Sequence, residues 1–152
     1  MTNNSIVQPY LFFEGRCEEA IEFYRRALGA EVKILMRYKD SPEPPPPGQA
    51  PPDPNKVMHA SFRIGQTQLR ASDGHATGKP NFSGFALSLS VPTVVEADKA
   101  FAALADGGKI GMPLAKTFFS ARFGMVTDRF GVMWMVLAPP EEDVAPMKLK
   151  MA

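Results

Sequence analysis

The sequence predicts an α+β protein built from one strand–helix–strand–strand–strand module used twice. Two observations carry that reading. Apolar residues change period along the chain, from strand-like to a helical stripe and back, in the same order in each half. Short segments of the halves also match: "FYRRALGAEV" resembles "FAALADGGKI", and "FRIGQTQLR" lines up with "DRFGVMWMV". One such module is too small to bury both faces of its sheet. Pairing two lets the sheets curve around a shared cavity, with the helices outside.

"VQPYLFFEG" (7–15) is the first strand, ended by Gly15. "CEEAIEFYRRALG" (17–29) is a helix: Cys17, Ala20, Ile21, Tyr24 and Leu28 form one stripe. Acids open it, Arg25 and Arg26 close it, and Gly29 stops it. "EVKILMRYK" (31–39) alternates as a second strand. "SPEPPPPGQAPPDP" (41–54) cannot join a ladder, because proline has no N–H to donate. It is an inserted loop or a pocket lid. "KVMHASFRIG" and "TQLRASD" form a hairpin turning at Gly65-Gln66.

The second half repeats the order. "FALSLSV" (85–91) is a strand. Pro92 and Thr93 open a helix with Val94, Ala97, Phe101 and Leu104 on one face, and Gly107-Gly108 ends it. "KIGMPLAKTFF", "ARFGMVTD" and "VMWMVLA" supply three more strands. The expected organisation is a single domain over 1–152. Module one covers about 6–74, module two about 83–139, and a tail 140–152.

Composition bounds the function. The 152 residues are 45% apolar, enough for an ordinary core. A net charge of +1 with no basic block argues against nucleic acid, whose phosphates demand clustered Lys and Arg. The "MKLK" near the end is too short for a basic arm. One cysteine, Cys17, excludes an intrachain disulfide and fits a reducing compartment. It reads as a buried small apolar residue rather than a nucleophile. The N-terminal stretch lacks the pattern of a signal peptide, and no apolar run reaches membrane length, so the expectation is a cytoplasmic protein without a membrane partner.

A duplicated βαβββ module resembles the vicinal-oxygen-chelate superfamily, which includes glyoxalase I, extradiol dioxygenases and the bleomycin-resistance proteins. Within it, "PYLFFEGRCEEAIEFYRRALGAE", "HASFRIG", "SDG", "SGFALSLSV" and "RFGMVTDRFGVMWMV" are similar to PhnB-like proteins, over roughly residues 7–138. The resemblance implies the glyoxalase/bleomycin-resistance-like fold and a homodimer. Some such relatives are labelled demethylubiquinone methyltransferase-like. A Rossmann-type methyltransferase needs a Gly-rich first turn, and "FFEGRCEEA" has one glycine, so that label implies no activity here.

Metal-dependent members of the superfamily hold a divalent ion with His, Glu or Gln on the first and last strand of each module. By resemblance those positions fall near Pro9, Leu69, Ala86 and Met135. Of the residues at or beside them only Gln8 is a candidate ligand, and hard or borderline cations prefer carboxylate or imidazole. The expectation is no metal and no cofactor. A new site from His59, Asp73 and His75 is geometrically possible at one sheet end, although Asp73-Gly74 is also a turn signal.

His59, Ser61 and Arg63 share one face of their strand, with Gln68 and Arg70 on the next. That face meets solvent or another subunit, or lines the cavity. His59 and Arg63 match the "HA…RI" pattern of PhnB-like proteins and are the expected polar handles for an anionic or oxygen-rich ligand. Phe118, Phe119, Met133, Trp134 and Met135 are candidates for an adaptable apolar pocket or for plain core; Phe119 and Trp134 are taken as ligand contacts. Glu14 and Asp128 are expected at the surface. The expected function is metal-independent small-molecule binding of the resistance or sequestration type. The alternative is a metal-dependent lyase, isomerase or dioxygenase, with a non-inherited metal site or with His59 as general base.

Overall fold

The structure is a computed structural model, in which residues 3–140 are described. The last twelve residues, with "MKLK" and nearly all of the expected tail, lie outside the described residues. The chain divides into two compact units, Met1–Asn81 and Phe82–Ala152.

Unit one contains β1 (Tyr10–Phe12), α1 (Cys17–Leu28), β2 (Glu31–Arg37), a 3₁₀ turn (Tyr38–Asp40), β3 (Val57–Ile64) and β4 (Thr67–Ser72). Unit two contains β5 (Leu87–Ser90), α2 (Val94–Ala105), β6 (Lys109–Ala115), β7 (Arg122–Thr127) and β8 (Met133–Ala138). The expected module order is present twice. Each unit forms one four-stranded sheet, β1-β4-β3-β2 or β5-β8-β7-β6. In both, the first strand runs parallel to the last and the other neighbours are antiparallel. This mixed order is unlike the doubly wound parallel sheet of a Rossmann-type methyltransferase.

β1 is three residues long, shorter than the expected 7–15. Pro9 cannot donate to a ladder, though its carbonyl accepts the Arg70 N–H at 2.9 Å. Beyond Phe13, Glu14 (φ 51°) and Gly15 (φ 106°) swing the chain into α1. Gly29, at φ 68°, ends α1 with its N–H on the Arg25 carbonyl, and the Ala30 N–H reaches back to Tyr24. Cys17, Ala20, Ile21 and Tyr24 of the predicted stripe are buried, and Phe23 joins them. Tyr24 stacks on Phe62 of β3, ring centroids 6.1 Å apart, which fixes the sheet face that meets α1.

α2 starts at Thr93, whose hydroxyl accepts the Glu96 N–H at 3.1 Å. Ala97, Ala100, Phe101 and Leu104 are its buried face. Gly124 of β7 lies under it: a Cβ there would come within 2.8 Å of Phe101 Cε2. Among the described residues no helix is long and apolar enough to cross a membrane.

Candidate functional site

Strand alternation sorts each sheet into a packed face and an open one. In unit one Ala60, Phe62, Leu69 and Ala71 are buried on the α1 side. The open face is built in cross-strand rows. Tyr10, Arg70, Ser61 and Ile34 lie side by side across all four strands. Gln68, Arg63 and Glu31 form the next row, and His59 lies beside Met36 on the other side. Tyr10 is 38% exposed, Phe12 52% and Ile34 51%. The Tyr10 ring is 4.8 Å from that of Phe12 and 5.9 Å from the His59 imidazole.

His59 is therefore half-buried on the open face, next to the Tyr10 ring. Arg63 is on the same face but engaged: its Nη2 donates to Glu31 Oε2 at 2.8 Å. Lys33 binds the same oxygen at 3.0 Å. Together the two cations hold the Glu31 carboxyl below its ordinary range, the Lys33 hydrogen bond contributing most. Ser61 is occupied by Gln68, whose Nε2 donates to its hydroxyl at 2.6 Å.

In unit two the open face carries Phe123 and Met125 of β7 and Met133, Met135 and Leu137 of β8. Phe119 gathers with it, 5.1 Å from Phe123, and helps line a small cavity of about 130 Å³ with Ser90 and Leu137. Trp134 is not on this face. It is 3% exposed, shares the α2 side with Val126 and Val136, and its indole N–H donates to Asp128 at 2.9 Å. Trp134, expected as a ligand contact, is thus buried on the packed side of unit two and bonded to Asp128.

Asp128 itself is buried rather than on the surface. It also accepts the backbone N–H groups of Phe130 and Val132, so a carboxylate organises the β7–β8 turn. Glu14 plays a similar part in unit one, where it accepts the N–H groups of His75 and Thr77 at 3.0 and 3.2 Å.

Asp73 is 2% exposed and faces the starts of one helix and one strand. Oδ1 accepts the Cys17 N–H at 2.8 Å and Oδ2 the Val57 N–H at 2.7 Å. Both oxygens are committed to backbone, while His75 is exposed beyond the turn. Among the described residues no three of His, Cys, Asp or Glu come together as a metal-binding group.

The inherited positions can be read from the register. Leu69 is buried on the α1 side, so the fourth-strand residue on the open face is Arg70, opposite Tyr10. The matching pair in unit two is Ser88 opposite Met135. A phenol, a guanidinium, a hydroxyl and a thioether do not make a ligand set for the divalent ion the superfamily uses.

The Pro-rich loop has a definite place. Its base is held by Arg37, which pairs with Glu18 and donates to the Asn55 carbonyl at 2.9 Å. The loop roofs a cleft of about 680 Å³ whose other walls include Tyr38, Lys56, Met58 and the turn at 73–76. Lys39, Glu43 and Asp53 give the cleft mixed charge, and His59 and Arg63 are not part of it.

Two sheets of this order, each with its crossover helix, are the architecture of one superfamily. The chain belongs to the Glyoxalase/Bleomycin resistance protein/Dioxygenase superfamily, whose family profile matches residues 6–136. It is 40% identical to Protein YjdN of Escherichia coli (strain K12) over 137 residues, 86% of this chain and 92% of that one. The crystal structure of protein PA1353 from Pseudomonas aeruginosa is similar at 41% identity and a TM-score of 0.78, covering 91% of this chain and all of that one. The PhnB protein of Bacillus cereus, provisionally named a 3-demethylubiquinone-9 3-methyltransferase, is 29% identical with a TM-score of 0.73, over 88% of this chain and 99% of its own. These neighbours put the chain in the PhnB-like branch.

Proposed function

We propose that this protein binds a small molecule without a metal, on the open sheet face of unit one. The carrying observation is Tyr10, Phe12 and Ile34 on the open face that holds His59, with the Tyr10 ring beside both Phe12 and His59: large side chains left in the open on a sheet whose other face is packed. Rings and aliphatic groups around a few polar ones are the usual lining of a ligand site. Exposed apolar patches of this kind are also commonly covered by something. His59 is the polar handle, and Phe119 with its methionine neighbours gives unit two an adaptable apolar face of its own. In this reading the protein works in the cytoplasm as a homodimer, and neither nucleic acid nor membrane is a partner.

The test is titration of metal-stripped protein with N-phenyl-1-naphthylamine, a neutral apolar dye. Saturable binding that weakens about fivefold in Tyr10→Ser and His59→Ala supports the reading, since truncating one buried contact costs roughly 1 kcal/mol. Binding only after zinc, nickel, manganese or iron(II) is restored, or no binding in either form, overturns it. A monomer mass in sedimentation overturns the dimer.

A further inference from the structure

We propose that the ligand of this face carries an oxyanion on a flat apolar body, and that Arg70 binds the oxyanion. This rests on the reading that unit one's open face is the ligand site.

Arg70 is the arginine of this face that no carboxylate holds; Arg26 on α1 also lacks such a partner among the described residues. Arg16, Arg25, Arg37, Arg63, Arg122 and Arg129 each have a carboxylate partner. Arg70 has neither a carboxylate nor a hydrogen-bond partner for its guanidinium among the described residues. It is exposed, yet it is not at a sheet edge. β4 lies between β1 and β3, and Arg70 stands between Tyr10 and Ser61 in the middle of the row. The one acid on this face among the described residues is Glu31, and Arg63 and Lys33 already share it. The Ser61 hydroxyl is taken by Gln68. The face therefore presents one uncompensated guanidinium, on the residue paired across the strands with Tyr10, whose ring lies beside Phe12 and the His59 imidazole.

A guanidinium fork matches the two oxygens of a carboxylate, or two of a phosphate, in one plane. Tyr10, its neighbour across the strands, has an exposed ring, so a molecule that stacks on Tyr10 can turn its charged end to Arg70. A neutral ligand would leave the charge unanswered. A cation would be repelled by it.

The experiment compares benzoate with benzamide, which share size and shape but not charge, by NMR titration of the full chain. Phenyl phosphate and inorganic phosphate are titrated in parallel. Benzoate is expected to bind about tenfold tighter than benzamide, the size of a charge-assisted hydrogen bond. Arg70→Gln removes that preference, Arg70→Lys keeps part of it, and Arg26→Gln, which deletes an unpaired charge on α1, leaves it intact. Inorganic phosphate binding as tightly as benzoate or phenyl phosphate overturns the requirement for a flat body. Equal affinity for benzoate and benzamide, with the neutral dye still bound, overturns the oxyanion and leaves the site standing. A preference that survives in Arg70→Gln overturns the assignment of Arg70. Failure of both the dye and benzoate to bind overturns the site as well.

Discussion

The carboxylate of Asp73 holds the first N–H of α1, at Cys17, at 2.8 Å, from a position 56 residues further along the chain. Its second oxygen holds the N–H of Val57 at the start of β3. α1 has no side-chain cap of its own at Arg16, so Asp73 does that work from the end of β4.

Asp73→Ala leaves two buried N–H groups without their acceptor. The expected loss of stability is about 3 kcal/mol, read from urea unfolding. Asp73→Asn keeps one acceptor oxygen and is expected to lose about half as much. A loss below roughly 0.5 kcal/mol for the alanine variant would show that water replaces the carboxylate at no cost.

Trp134→Phe takes the indole donor away from Asp128 inside the core of unit two. It is expected to cost about 2 kcal/mol by the same reasoning. Because Trp134 lies on the α2 side, the affinity for the neutral dye should stay the same. Weakened dye binding at unchanged stability would place Trp134 in the ligand site.

Gly124→Ala tests how α2 is seated. The added methyl would meet Phe101 Cε2 at 2.8 Å and Leu114 Cδ2 at 3.0 Å. Overpacking of this kind costs about 1–3 kcal/mol, and thermal unfolding reads it directly. A neutral result would mean that α2 shifts freely over the sheet.

Cys17 is fully buried, and burial pushes its thiol well above the ordinary range, with the Asp73 and Glu18 carboxylates adding to the rise. The folded protein therefore keeps this proton at alkaline pH while the unfolded chain loses it, above roughly pH 8.5. The unfolded state then binds fewer protons, so stability contributed by the thiol is present below that pH and declines as pH rises beyond it. Iodoacetamide at pH 8 should modify Cys17 slowly in the native protein and rapidly in urea. Equal rates would show that the thiol is open to solvent.

The order of elements was legible because the apolar period changes at each boundary, and the capping residues Gly29 and Thr93 act where they stand in the sequence. The extent of β1 was less so, since "VQPYLFFEG" looks like one apolar run and only Pro9 hints that the ladder starts late. The site was partly legible. Alternation alone separates Trp134 from Met133 and Met135, and that signal was present in "VMWMV". That Glu31 meets Arg63 and not Arg70 was not available from the sequence. That pairing depends on a register shift in β2, between Val32 and Ile34, which no local pattern announces. Asp73 was readable as a turn residue but not as the cap of a distant helix, since its partners come from tertiary structure.

β1 has one neighbour within its sheet and three residues in its ladder, yet it carries Tyr10 and Phe12. Its hold on β4 comes from a handful of amides and from Leu11 and Phe13, which are anchored on the α1 side. Such a strand can detach and reseat while β2, β3 and β4 stay zipped, so its amides should exchange with deuterium well ahead of theirs. The wall that presents the rings is then the loosest plank in its sheet. A guest lying across Tyr10 and Arg70 would nail that plank to the strand beside it, and the slowing of exchange at Leu11 and Phe12 would report its arrival.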